Sequence, residues 1–319
     1  MMNLSSTRIV DRVLTNIAQG YFQQPFELEP LFPIVPVPLH AGKIVEFGKE
    51  AFRLPTSKRS FGSDIQAITV GYQGRSFTME DHALAGMIPI EEAEEAEAAL
   101  GLDLQAQTVF AVTQQLRLKL EYDRAALATN AALYGASHKN TFGSSTKWSV
   151  AATCTPINDI DAGIVQIRQD TGRLANQLYV SDAIFRDLKN CTQIRNYLQY
   201  TTSEYVSEDI LAKIFGLEKM IVVRAIYASG ANDAFSDVWG NFALLANARQ
   251  PGALNAAGSF REPSYGYTYT MKGGLYAEQP WYRNQNRTWY FPMVWQRLPV
   301  VTSLGGGTIL PGYLFVTPH

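Results

Sequence analysis

Apolar residues near the start of the chain recur at helical spacing: Ile9, Val13 and Ile17, with Val10 and Leu14 beside them, form one helix face. The pattern breaks at a proline series, Pro25, Pro30, Pro33, Pro36 and Pro38. Each proline removes a backbone donor and pushes its predecessor toward extended geometry, which excludes both a helix and a central strand. The stretch reads as an extended arm. Phe22, Phe26, Leu28, Leu31, Phe32 and Ile34 make it too apolar for a solvated linker, so it needs a surface to lie on. Residues 43–47 and 64–70 then read as the strands of a long hairpin, and the turn-rich, basic 54–63 as its mobile, positive tip.

From about Leu104 to Tyr134 the pattern is helical, with Val109, Val112, Leu116, Leu120, Leu127 and Ala131 on one face and no Gly or Pro before Gly135. At 1.5 Å per residue such a helix is roughly 45 Å long, a structural axis for the chain. Beyond Trp148 helices and strands alternate. A helix over 158–170 closes at Gly172, and a strand over 177–180 precedes a helix capped by Ser181 and running to Asn190. Ser207 caps another, over 208–215, that stops at Gly216. Residues 220–223 and 238–246 read as buried strands, completing an α/β unit. Aromatics then crowd between Tyr265 and Trp295, with Tyr265, Tyr267 and Tyr269 alternating along a strand. The tail over 296–318 holds one charge, Arg297, and so belongs in a core or an interface.

Composition sharpens this picture. The 319 residues are 46% apolar and only 18% charged, with a net charge of −2, against about 25% charged in an ordinary soluble protein. Near-neutral charge argues against a dedicated DNA binder, which needs a basic surface. No stretch reaches the ~18 apolar residues of a membrane span, and the N-terminal helix lacks the cationic face of a membrane-surface helix. Cys154 and Cys191 are the two cysteines, too few for a disulfide scaffold or thiolate metal site, and they read as free thiols in a reducing cytoplasm.

Candidate chemistry is sparse. The chain has no phosphate-cradling loop, zinc-binding His-Glu-x-x-His or nucleophile-elbow motif. Gly305, Gly306 and Gly307 read as a flexible turn. His82 follows Glu80 and Asp81, but nothing beside it supplies a nucleophile, and the pairing reads as structural. The carboxylates of residues 91–97 read as a solvated helix N-terminus rather than a metal site. The expectation is no enzyme, no cofactor and no metal. The aromatic cluster leaves open a sugar-binding module, with packing between strands as the other reading.

Four stretches stand out: Phe77-Thr78-Met79-Glu80-Asp81-His82-Ala83-Leu84-Ala85 leading into Ile88-Pro89, Asn176-Gln177-Leu178-Tyr179-Val180-Ser181, Ile210-Leu211-Ala212-Lys213-Ile214-Phe215-Gly216, and Asp237-Val238-Trp239-Gly240. They resemble the major capsid proteins of tailed double-stranded-DNA bacteriophages. The order of parts matches as well. The resemblance implies an α+β capsid fold: an N-terminal arm (1–38), an extended β-hairpin loop (39–86), a peripheral domain on a long spine helix (87–150 plus 262–300) and an axial α/β domain (151–261 plus 301–319). It implies self-assembly through hexameric and pentameric capsomers into an icosahedral shell around the phage genome. The subunit-interface candidates are Phe22, Phe26, Phe32, Arg53, Lys58, Arg59 and Phe61. Implied partners are a separate scaffolding protein, since about two dozen residues precede the prolines and leave no long cleavable extension, together with a portal, a decoration protein and non-specific contact with packaged DNA. Crosslinking through Lys58 is not predicted. A bacterial nanocompartment shell of the same fold is the rival reading.

Overall fold

The computed structural model describes residues 26–46, 54, 58, 61, 73–94, 104–199, 206–228, 234–248, 264–271, 273–302 and 311–319. The expected N-terminal helix over 9–17, the strand over 64–70 and the glycine turn at 305–307 lie outside them. The first strands are β1 (Ile34–Val37), β2 (Ala41–Glu46), β3 (Gln73–Thr78) and β4 (Glu80–Pro89). The long helix α1 (Leu104–Ala128) follows, then β5 (Lys139–Thr141), α2 (Pro156–Thr171), β6 (Gln177–Ser181), α3 (Asp182–Asn190), α4 (Thr192–Leu198) and α5 (Glu208–Ile214). After these come β7 (Lys219–Val223), β8 (Ile226–Ala228), β9 (Phe235–Asp237) and β10 (Phe242–Ala246). Last are β11 (Gly266–Met271), β12 (Tyr276–Ala277), β13 (Trp281–Arg283), β14 (Thr288–Val301) and β15 (Gly312–Val316).

Two sheets share α1. In the first, β14 pairs antiparallel with all of β4 on one side and with β11, β12 and β13 on the other, while β1 adds parallel to β11. The apolar stripe of α1, Val109, Val112, Leu116 and Leu120, packs on Phe291, Met293 and Trp295 of β14. Contact is close because β4 carries Gly86 beneath α1: a Cβ there would lie 2.1 Å from Thr108 Cγ2. The second sheet runs β5-β15-β10-β6-β7. One face packs on α2 to α5, through Leu178, Val180, Met220, Val222, Leu245 and Phe315. The other meets the C-terminal end of α1, where Ala125 and Ala128 join Tyr179, Ile221, Leu244 and Leu314. A single helix therefore packs on both sheets.

Local rules set most boundaries. Ser181 and Ser207 accept the Ile184 and Ile210 backbone N–H at 3.3 and 3.4 Å and start α3 and α5. Gly172 and Gly216, at φ 71° and 66°, end α2 and the turn after α5. Two expectations change, and the structure adds detail to others. Helix α1 stops at Ala128 rather than Tyr134, because Asn130 turns extended (φ −70°, ψ 96°) and caps a separate short turn over Ala131–Leu133. The strand expected over 238–246 begins at Phe242, since Gly240 at φ 67° makes a turn ahead of it. The described partner of β2 is 73–78. The expected domain limit at 86 falls inside β4, and β5, expected in the peripheral part, pairs with β15 in the second sheet.

The cysteines are also corrected: Cys154 and Cys191 form a disulfide, with Cα atoms 6.4 Å apart. Thirty-seven residues of sequence separation concealed a contact that the packing of α2 against α4 creates.

Candidate subunit interface

The expected loop leaves the body as a two-stranded ribbon. β2 and β3 pair antiparallel from Ala41↔Thr78 to Glu46↔Gln73. At the base, Met79 is buried and its N–H donates to the His40 carbonyl at 2.9 Å. Phe77 stacks on Tyr269 with ring centroids 5.1 Å apart. Val35, Val37, Tyr267 and Val300 complete this anchor. The base is thus tied to the first sheet. Three described residues lie between the two strands, Leu54, Lys58 and Phe61, and all are exposed, Leu54 at 99% and Phe61 at 109% relative accessibility. Two large apolar side chains with no cover from their own chain are costly in water and gain by covering. Arg53, Arg59 and Phe22 lie outside the described residues.

The proline segment behaves differently from what the sequence suggested. Residues 26–38 lie on their own chain: Leu28, Leu31 and Phe32 are 0% exposed, and β1 is an edge strand of the first sheet. The prolines thus exclude a helix and a central strand, as their chemistry requires. Phe32, expected at a subunit interface, is instead a core residue. Its ring meets Tyr265 edge-on at 5.6 Å and fills the space over Gly266, where a Cβ would lie 2.5 Å away. Phe26 is half-buried.

A buried polar pair pins this segment to α1. Glu121 Oε1 accepts the Leu28 N–H at 2.9 Å, and Arg124 Nη2 donates to the Phe32 carbonyl at 3.0 Å and to Thr268 Oγ1 at 3.1 Å. Burial pushes the Glu121 carboxyl up to about 7, against the pull of Arg124. Burial likewise lowers Arg124. Arg297, the lone charge of the tail, is fully buried over the Trp295 ring at 4.9 Å and 3.5 Å from Asp123. The sequence held one signal for these groups: Arg124 follows Leu116 and Leu120 at helical spacing, a charge on an apolar stripe.

A second apolar surface lies where β13, β14 and β4 run side by side. Trp281, Tyr290 and Met87 are cross-strand partners and share one face. Trp281 and Tyr290 stack at 5.5 Å with planes 3° apart, and Trp281 and Met87 stay 47% and 63% exposed. Trp, Tyr and Arg are the side chains that anchor protein interfaces, and Arg283 and Arg287 flank this row. The candidate chemistry is structural. His82 Nε2 lies 3.6 Å from Glu80, and burial lowers the imidazole. Glu91, Glu92 and Glu94 are exposed, Glu91 pairing with Arg287 at 2.9 Å. No described cluster of His, Cys, Asp or Glu has a metal-binding arrangement, and no described helix is long and apolar enough to cross a membrane.

The arrangement of an arm segment, a projecting ribbon, a long helix and two sheets is one that other proteins share. A curated relative, the major capsid protein of Burkholderia phage BcepMu, is 34% identical over 277 residues, covering 86% of this chain and 87% of its own. The chain belongs to the major capsid proteins of tailed bacteriophages. It is a structural protein of the virion rather than an enzyme, and copies of it form the icosahedral shell. A crystal structure of a phage-related protein from Bordetella bronchiseptica RB50 is 31% identical and covers 98% of both chains at a TM-score of 0.79. The mature capsid of bacteriophage PhiM1 is similar in fold alone, at 12% identity and a TM-score of 0.53 over 92% of this chain and 88% of its own. No family model matches the chain.

Proposed function

We propose that this capsid protein assembles through hexameric and pentameric capsomers in which each ribbon tip lies on a neighbouring subunit. Leu54 and Phe61 would supply the apolar contact there, and Lys58, with Arg53 and Arg59, the charge. The observation that carries this reading is the complete exposure of Leu54 and Phe61 on a ribbon whose base is anchored in its own sheet. The first sheet with α1 serves as the peripheral domain, and the second sheet with α2 to α5 as the axial domain at the capsomer centre. A separate scaffolding protein, a portal and a decoration protein remain the partners this family reading brings. Contact with packaged DNA is non-specific in this reading, since a net charge of −2 gives the chain no overall cationic excess to hold phosphates. Contacts of this kind are individually weak and sum over a closed symmetric assembly.

The test separates folding from assembly. Replacing the 54–63 tip by a short Gly/Ser turn, or deleting residues 1–24, leaves a folded subunit that no longer forms closed particles by sedimentation and electron microscopy. Deletion through residue 37 removes Leu28, Leu31, Phe32 and β1, and yields no folded subunit. Normal particles from the tip replacement would overturn the loop assignment.

A further inference from the structure

We infer that Cys154 and Cys191 are a post-assembly modification site: a dithiol in the reducing host cytoplasm that closes to the disulfide after particles meet an oxidising medium. The timing rests on the virion reading; the chemistry rests on the pair itself. Cys154 ends the turn before α2, and Cys191 is the joint between α3 and α4. They are 4% and 0% exposed inside the cluster formed by Ile160, Leu188, Ile194 and Leu211. The fold alone brings them together, because the three helices pack on one sheet face whether or not the sulfurs are bonded. Cytoplasmic thiols are kept reduced, and an intracellular disulfide is rare. The assembling chain is therefore a dithiol with its sulfurs already in contact.

Closure removes two protons and two electrons from the two thiols. Dioxygen accepts them to give hydrogen peroxide, or glutathione disulfide accepts them to give two glutathiones. Apolar burial disfavours the thiolate, which is the reacting species, so closure is slow and proceeds through local opening of the α3–α4 joint. Once closed, the bond restrains the opening that admitted the oxidant, so a reductant outside the folded subunit reaches the sulfurs far more slowly than the oxidant did. The pair works as a one-way latch, tying the start of α2 to the α3–α4 joint in the axial core. It limits opening of that core once the particle is outside the cell, where no new subunit can replace a lost one.

The experiment counts thiols in the full-length protein by intact mass. Expressing cells are lysed directly into guanidinium containing N-ethylmaleimide, and purified protein kept in air-saturated buffer is denatured with the same reagent. The expected result is two adducts per chain from the cells and none from the aged protein. Aged native protein treated with dithiothreitol and then alkylated stays unmodified, whereas dithiothreitol in guanidinium exposes both thiols. Oxidation raises the apparent melting temperature by about 5–10 °C, and a C191S variant shows no rise on ageing. Two adducts persisting after ageing, none in the cells, or ready reduction of the native protein would each overturn the latch. The count is made on sedimenting shells and free subunits alike, so failure to form shells counts against the assembly reading and leaves this one standing.

Discussion

Phe32 and Phe61 make a decisive contrast, because both are Phe residues in N-terminal segments and the structure gives them opposite work. Phe32 is 0% exposed, wedged between Tyr265 and the backbone of Gly266; Phe61 is fully exposed. Phe32→Ala removes a buried ring and leaves a cavity, at a cost of about 3–5 kcal/mol. That is a large part of the ~5–15 kcal/mol that holds a domain folded. Phe61→Ala removes nothing its own chain touches and shifts subunit stability by less than about 0.5 kcal/mol. The wedge can be tested from its other side. Gly266→Ala puts a Cβ 2.5 and 2.6 Å from two Phe32 ring atoms and 2.8 Å from the Val300 carbonyl, an overpacking cost of about 1–3 kcal/mol. The ring clash disappears in the double variant and the carbonyl clash does not. Phe32→Ala with Gly266→Ala is therefore less destabilising than the sum of the singles by about 1 kcal/mol, a coupling that contacting residues show and distant ones do not. Urea denaturation of unassembled subunits, followed by tryptophan fluorescence, measures all four variants against wild type. Wild-type stability for Phe32→Ala, or strict additivity in the double variant, would refute the core assignment.

Glu121 gives a pH prediction whose sign follows from its raised carboxyl. Between the usual carboxylate value of 4.5 and about 7 the folded chain holds a proton there that the unfolded chain has lost. Stability through this group therefore falls as pH rises across that window, by up to about 3 kcal/mol. Glu121→Gln keeps an acceptor for the Leu28 N–H and flattens the profile between pH 5 and 7; an unchanged slope in urea midpoints would exclude Glu121 as its source. At the crossing of α1 over β4, Gly86→Ala places its Cβ 2.1 Å from Thr108 Cγ2 and costs about 1–3 kcal/mol. Adding Thr108→Ser removes that methyl and restores at least half of the loss in the same assay; no recovery would mean that the helix is held elsewhere.

The legibility of this chain followed the range of the forces involved. Caps and stops act within a few residues, so Ser181, Ser207, Gly172 and Gly216 were readable and the structure uses each of them. The α1 stripe was readable for the same reason, over Val109 to Leu120. What failed was pairing between distant segments. The cysteine contact, β5 joining β15, and the seat of Phe32 beside Tyr265 all depend on where the chain returns. An apolar arm carries the same pattern whether its cover is a neighbour or its own sheet. The loop tip escapes that ambiguity only because the structure shows Leu54 and Phe61 uncovered.

That difference alters what the low charge content means. At 18% charged, the chain could owe its apolar excess to cores or to contacts between copies, and under the proposed assembly both draw on it in separate places. Leu28, Leu31, Phe32 and the tail strands go to the two cores, where even Arg297 and Arg124 are buried. Leu54, Phe61, Met87, Trp281 and Phe235 do not, at exposures from 47% to 109%. Scattered exposed apolar residues are ordinary on a monomer. A ribbon held at its base by Phe77 and Met79, with Leu54 and Phe61 bare beyond it, is different, because the anchor sets the point from which the loop leaves the first sheet. Removing the anchor should then act on assembly through geometry alone. Phe77→Ala leaves Leu54 and Phe61 as apolar as before but loosens the base, so shell formation slows while the tip chemistry is unchanged. Assembly followed by light scattering at equal concentrations of folded subunit reads this directly. A rate equal to wild type would mean that the tip docks without help from its anchor.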